Sequence, residues 1–174
     1  MKKLIYITPL LLLVTICLFV LIFILTEKDP QKPPSPLINQ DVPIFILHNL
    51  YDKNKTIQSA DLKNHYTLIN FFASWCAPCK LEHPLFFNIK KENPKLFILG
   101  INYKDKKNDA RSYLELEGNP YSFVGIDPNG KIGFEFGVFG LPETFVINNK
   151  GEIIYKHIGL LTKEIYYEKI KPLL

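Results

Sequence analysis

The chain has 174 residues, enough for one ordinary domain and too few for two of full size. Apolar residues make up 47% and charged residues 22%, which excludes disorder over most of the length. The formal charge is only +4, with Lys2 and Lys3 supplying two of the cations, so the remainder has no electrostatic footprint for nucleic acid; three cysteines are too few for a disulfide-built scaffold.

Met1-Lys2-Lys3 is followed by Leu4–Leu25, which carries no charge. As a helix that run spans about 33 Å, against about 30 Å for a hydrocarbon core. A cleaved signal peptide is the competing reading. The run ends Phe23-Ile24-Leu25-Thr26-Glu27-Lys28, with no A-x-A-like triplet, which favours an uncleaved transmembrane anchor. The two lysines then place the N-terminus in the cytoplasm and the rest of the chain outside. Cys17 follows Ile16 rather than the small residue of a lipoprotein site, and reads as one more apolar residue. The expected organisation is 1–25 as cytoplasmic N-terminus and anchor, 26–43 as a tether, and 44–174 as the folded domain. Pro30, Pro33, Pro34, Pro36 and Pro43 make the tether extended and semi-rigid.

Within the domain, Ile44–Leu47 predicts a short leading strand, Asn49–Asn54 a turn, and Ser59–Asn64 a helical turn. Thr67–Ala73 is almost continuously apolar, as in a central strand covered on both faces. A helix is predicted from Ala77 to Lys91, with Pro78 in its first turn and Leu81, Leu85, Phe86 and Ile89 at helical spacing. Leu96–Tyr103 predicts a second buried strand, Asn108–Glu117 a helix stopped by Gly118-Asn119-Pro120, and Tyr121–Ile126 an extended segment. Gly130–Gly137 predicts a short helix. Thr144–Asn148 and Glu152–Ile158 read as a hairpin turning at Asn149-Lys150-Gly151, and Thr162–Ile170 as a final helix capped by Thr162. Right-handed crossovers would build these into an α/β fold, a mixed sheet with helices on both faces.

Cys76-Ala77-Pro78-Cys79 leaves a predicted strand and opens a predicted helix. Free N–H groups and the helix dipole there stabilise negative charge, so a Cys76 thiolate is favoured. Cys76 can attack a substrate disulfide and Cys79 can resolve the mixed disulfide. Trp75 would shield one side of the pair. A static bridge is the plainer alternative, but closing so short a loop stabilises little. Zinc is another, since Cys76, Cys79 and His83 have suitable spacing, although no second ligand pair follows. Asn70 lies on the buried strand. Glu82, three residues past Cys79, shares its helical face, and Glu143 follows Pro142; either acid can take a proton through water if burial raises its pKa, and either can equally be an ordinary charged residue. His83 reads as a nearby cation that tunes the thiolate, or as a surface residue.

Phe71-Phe72-Ala73-Ser74-Trp75-Cys76-Ala77-Pro78-Cys79 resembles the active-site segment of thioredoxin-like proteins. Glu82-His83-Pro84, Gly100-Ile101-Asn102-Tyr103-Lys104-Asp105, Phe136–Phe145 and Tyr155-Lys156-His157-Ile158-Gly159 narrow the resemblance to the membrane-anchored CcmG/DsbE family, from about Val42 to the C-terminus. The resemblance implies a thioredoxin-like fold and a thiol-disulfide reductase of cytochrome c maturation at the periplasmic side of the inner membrane. It would draw electrons from a CcdA/DsbD-type membrane thiol transporter and pass them to apocytochrome c or a CcmH-type partner. It further implies a cis Leu141–Pro142 bond facing Cys76, where a substrate strand docks, and places Glu82 and Glu143 in the redox groove. Asn70 departs from thioredoxins, many of which carry a buried acid there. No cofactor beyond the Cys76–Cys79 dithiol is needed. A general envelope reductase of the same fold, and a non-catalytic apocytochrome-binding module, are the alternative functions.

Overall fold

A computed structural model describes residues 2–25 and 36–174, with side chains of the first segment over residues 9–23. The chain divides into two compact units, Met1–Pro34 and Ser35–Leu174. The first holds helix α1, Lys2–Leu25, with Pro9 inside it. Among the described residues no helix is long and apolar enough to cross a membrane. Residues 26–35 of the expected tether lie outside the described residues. Its C-terminal end differs from the expectation, because residues 37–43 belong to the domain. Asn39 N–H donates to the Ile153 carbonyl (2.8 Å), Val42 N–H donates to the Gly151 carbonyl (2.9 Å), and Val42 is buried. Proline sets backbone angles but does not prevent Leu37, Ile38 and Val42 from burying apolar surface.

The second unit is a seven-stranded sheet in the order β2-β1-β5-β4-β3-β6-β7. Its strands are β1 Ile46–Asn49, β2 Thr56–Gln58, β3 Thr67–Phe72, β4 Phe97–Tyr103, β5 Phe123–Asp127, β6 Glu143–Ile147 and β7 Ile153–Ile158. Helices α2 (Ala77–Glu92), α3 (Lys107–Glu117) and α4 (Lys131–Glu135) connect them. Strands β3, β4 and β5 are parallel neighbours, and β6 and β7 run antiparallel beyond β3. Both parallel crossovers step in the same direction, β3 to β4 to β5. With right-handed connections α2 and α3 must then cover one face together. Their buried side chains do share one apolar cluster, with Leu85, Phe86 and Ile89 from α2 and Ala110, Tyr113 and Leu114 from α3. Helix α4 packs Ile132 into the cluster on the other face, around Phe71, Phe136 and Phe145. Every residue of β3 is buried, as its apolar run requires.

Strand β2 was not expected. Only Ile57 of its three residues is buried, which is too weak a signal to separate from a turn. The final helix starts at Thr162, whose side chain accepts from Ile165 N–H (3.3 Å). It runs as α5 (Lys163–Ile165), widens to a π turn over Tyr166–Ile170, and tightens to a 3₁₀ turn over Lys171–Leu173. The close packing of Tyr121 on the sheet depends on Gly100, directly opposite Asn70 in the β3–β4 register. A β-carbon there would stand 2.8 Å from the Tyr121 ring.

Candidate active site

The two cysteines sit where β3 gives way to α2, and they form a disulfide with a Cα–Cα distance of 5.3 Å. Cys76 is the N-cap of α2, Pro78 lies in the first turn, and Cys79 N–H donates to Cys76 Sγ at 3.2 Å. On reduction, the sulfur at Cys76 therefore meets an N–H donor and the positive end of a 16-residue helix, which is the setting that favours a thiolate. Both cysteines are buried, and Trp75 beside them is 60% exposed.

The turn leading into the pair is tied to the end of β4. Ser74 donates its N–H to Asp105 Oδ2 (2.6 Å) and its hydroxyl to Asp105 Oδ1 (2.9 Å). Asn102 Nδ2 and Lys106 N–H also donate to Asp105, and Trp75 Nε1 donates to the Lys104 carbonyl (3.1 Å). Because β3 and β4 are parallel neighbours, their C-terminal ends lie side by side and this bridge is short.

Below Cys79 on the buried face of α2 comes Glu82, 2% exposed. Its Oε1 accepts from Asn70 Nδ2 (2.8 Å) and its Oε2 from Leu161 N–H (2.7 Å). Asn70 Nδ2 also donates to Thr144 Oγ1 (3.2 Å), and Asn70 Oδ1 accepts from the Tyr121 hydroxyl (2.8 Å). Burial pushes Glu82 up to about 7, against the opposing pull of the Leu161 and Asn70 N–H donors. A carboxyl poised there can both take and return a proton near neutral pH.

Glu143 is elsewhere. Successive residues of β6 point to opposite faces. Thr144 reaches Asn70 on the cysteine side, so Glu143, like Phe145, lies on the α4 side of the sheet. The Lys156 ammonium, whose side chain is 4% exposed, stands 3.0 Å from Glu143 Oε2 and donates to the Gly137 carbonyl (2.7 Å). Glu143 Oε1 accepts from Phe139 N–H (2.9 Å) and Gly140 N–H (3.3 Å). The pair thus holds the loop that leads to Pro142 rather than joining Glu82 at the sulfurs. The Leu141–Pro142 bond is cis, Pro142 is buried, and Leu141 packs against the cluster that contains both cysteines.

His83 is neither a surface residue nor a cation for the thiolate. It is 3% exposed, its Nε2 lies 2.9 Å from the Gly118 carbonyl, and its ring packs against Phe87, Tyr113 and Tyr121. Burial lowers its pKa and keeps the ring neutral near pH 7. The sequence reading missed Tyr121, Thr144, Asp105 and Lys156. Thr144, Asp105 and Lys156 stand inside the family-like segments, but the residues that give them their place at the site, Asn70, Ser74 and Glu143, are 74, 31 and 13 residues away and meet them only through strand register.

The Redoxin family matches residues 37–170 of this chain. The thiol:disulfide interchange protein HelX of Rhodobacter capsulatus is 38% identical over 153 residues, covering 87% of this chain and 85% of that protein. DsbE of Allochromatium vinosum is 35% identical over 158 residues, covering 91% and 87%. DsbE of Pseudomonas aeruginosa is 34% identical over 173 residues, covering 99% and 94%. Among solved structures, a DsbF homologue from Corynebacterium diphtheriae superposes with a TM-score of 0.67 at 22% identity, over 76% of this chain and 86% of that one. A secreted disulfide oxidoreductase of Mycobacterium tuberculosis, homologous to the E. coli DsbE, gives 0.59 at 18%, over 68% and 84%. At such identity the superpositions speak for the fold alone, which is thioredoxin-like. Identity and coverage together, with the Cys-x-x-Cys pair at the helix start, place this chain in the Redoxin family and, within it, among the DsbE-type thiol:disulfide interchange proteins, which are protein thiol-disulfide oxidoreductases.

Proposed function

We propose that the protein is a membrane-anchored, extracytoplasmic reductant of cytochrome c maturation. It keeps the haem-binding cysteines of apocytochrome c, or a CcmH-type partner, reduced, and is itself recharged by a CcdA/DsbD-type transporter in the inner membrane. Residues 4–25 serve as the anchor, and Lys2 and Lys3 hold the N-terminus in the cytoplasm. The observation that carries the reading is a cysteine pair at a helix N-terminus with a buried acid, Glu82, one turn below it.

The step runs in two stages. The Cys76 thiolate attacks one sulfur of the client disulfide, forming a mixed disulfide and expelling the other client sulfur as a thiolate. Glu82 accepts the proton of the Cys79 thiol through water. The Cys79 thiolate then attacks Cys76 Sγ, breaking the mixed disulfide and releasing the second client thiolate. Two electrons pass to the client, the protein is left as the Cys76–Cys79 disulfide, and the client thiolates take up the proton relayed by Glu82 and one from solvent. The electrons need no further cofactor. Trp75, Leu141 and the cis Pro142 form the wall on which the client strand docks, and Glu143 with Lys156 holds that wall in place.

The test is the reduction potential of the full chain in detergent, by equilibration with a reference dithiol, followed by turnover on a Cys-x-x-Cys-His disulfide peptide. A potential near about −270 mV with preference for that peptide over an unrelated disulfide is expected; a potential near about −120 mV makes it an oxidant and ends the reading. Equal turnover of both substrates reassigns it as a general envelope reductase.

A further inference from the structure

Glu82 is buried, and both of its oxygens face N–H donors, Asn70 Nδ2 and Leu161 N–H. Such an arrangement satisfies a carboxylate. A carboxylic acid needs an acceptor for its own proton, and leaving that proton unpaired inside the domain costs the desolvation of a polar group. The Leu161 partner is a backbone N–H and can only donate. The Asn70 side chain is different, because half a turn of its amide exchanges Nδ2 and Oδ1 without changing shape. Its other two contacts are hydroxyls, Thr144 Oγ1 and Tyr121 Oη, and a hydroxyl both donates and accepts. In the turned state Asn70 Oδ1 would accept from Glu82 and from Thr144, and Nδ2 would donate to Tyr121.

We propose that Asn70 is a positioning residue whose side-chain amide reverses each time Glu82 gains or loses its proton, so that the acid is hydrogen-bonded in both states. This rests on the reading of Glu82 as proton acceptor for Cys79. An aspartate at position 70 would place a second acid beside Glu82 and compete for the same proton; an amide serves Glu82 without competing. Among the described residues, the titratable and charged groups that face Glu82 are few. Its own helix brings Cys79 and the neutral His83, α3 brings Tyr113, and the segment before β5 brings Tyr121. Strands β3 and β6 bring only Asn70 and Thr144, and the segment after β7 brings only a backbone amide.

The experiment is NMR on the full chain in detergent micelles, in the disulfide form, with labelled Glu and Asn side chains, titrated from pH 5 to 9. Loss of one signal in Glu82→Gln assigns the carboxyl. The expected result is that the Asn70 amide protons trade their Thr144 contact for contact with the Tyr121 ring as pH falls, with the same midpoint as Glu82. If Glu82 titrates and the Asn70 contacts do not move, the reversal is overturned while the proton acceptor stands. If Glu82 shows no midpoint in this range, both fall. A second measurement uses single turnovers of the reduced protein with Asn70→Leu. Reversal predicts a loss of about tenfold in the resolving step with the pH midpoint nearly unmoved, because support for both protonation states is lost together. A fixed donor predicts instead that the midpoint rises, and that outcome also overturns the reversal.

Discussion

Two glutamates are buried on opposite faces of the same sheet, and their surroundings differ in one respect. Glu143 has a cation, Lys156, together with two backbone N–H donors. Glu82 has N–H donors but, among the described residues, no charge of opposite sign. The Lys156–Glu143 pair acts as a fastening of the loop from Gly137 to Leu141. A carboxylate supported only by dipoles is pushed towards its neutral form and becomes a group that exchanges protons. The contrast separates a structural acid from a chemical one by partner, where burial alone would class them together.

The largest test of this contrast is Lys156→Met. It strands a buried charge at Glu143 and is expected to cost about 3–5 kcal/mol in denaturant unfolding, whereas Lys156→Met combined with Glu143→Leu recovers most of the loss. A double variant as unstable as the single one would show that the ion pair is not what holds this region.

Next in size is a pH effect with the opposite logic. The folded pKa of Glu82, about 7, lies above its ordinary 4.5, so the folded state binds the proton more tightly than the unfolded chain. Its stabilisation is complete below about pH 4.5 and is lost as pH rises through about 7, a change of about 3 kcal/mol. His83 works in the other direction, because burial lowers its folded pKa, so its contribution is full above its ordinary 6.5 and is lost progressively as pH falls below it. The reading is therefore the difference in unfolding free energy between wild type and Glu82→Gln. That difference should fall across this window, and a flat difference would mean that Glu82 is ionised throughout.

The smallest effects lie in turnover. Glu82→Gln should slow the resolving step about 100-fold, the lower end of what a positioned proton acceptor contributes. Glu143→Gln keeps an acceptor for the Phe139 and Gly140 N–H groups and should change client KM severalfold, leaving the pH profile of turnover unmoved. A shifted profile in Glu143→Gln would put both acids in one proton network and erase the distinction.

The strand, the Cys-x-x-Cys and the helix it opens were legible in the sequence, because each is a local pattern: an apolar run, a motif, and a helical repeat with Pro78 in its first turn. The cis proline was legible through family resemblance. The assignment of Glu143 to the far face was not, since a strand's alternation says which residues share a face but not which face holds the sulfurs. That follows from Asn70 pairing with Thr144 across β3 and β6, 74 positions apart in the chain. His83 failed for a related reason. Its position one turn beyond Cys79 put it on the buried face of α2, and the Gly118 carbonyl that receives it comes from the end of α3. The tether boundary was misplaced because proline content marks extended backbone and carries no information about whether neighbouring apolar side chains are buried.

The fastening of Ser74 and Trp75 to Asp105 and Lys104 has a consequence for the energetics of exchange. None of those bonds involves sulfur. The cradle that fixes the approach to Cys76 therefore does not hang on the S–S bond, and opening that bond breaks none of these contacts directly. A frame held independently of the sulfurs can present the same surface to the partner that loads the pair and to the one that unloads it. The direction of flow is then set by potentials, the protein's own measured against those of the neighbour that loads it and the neighbour that unloads it.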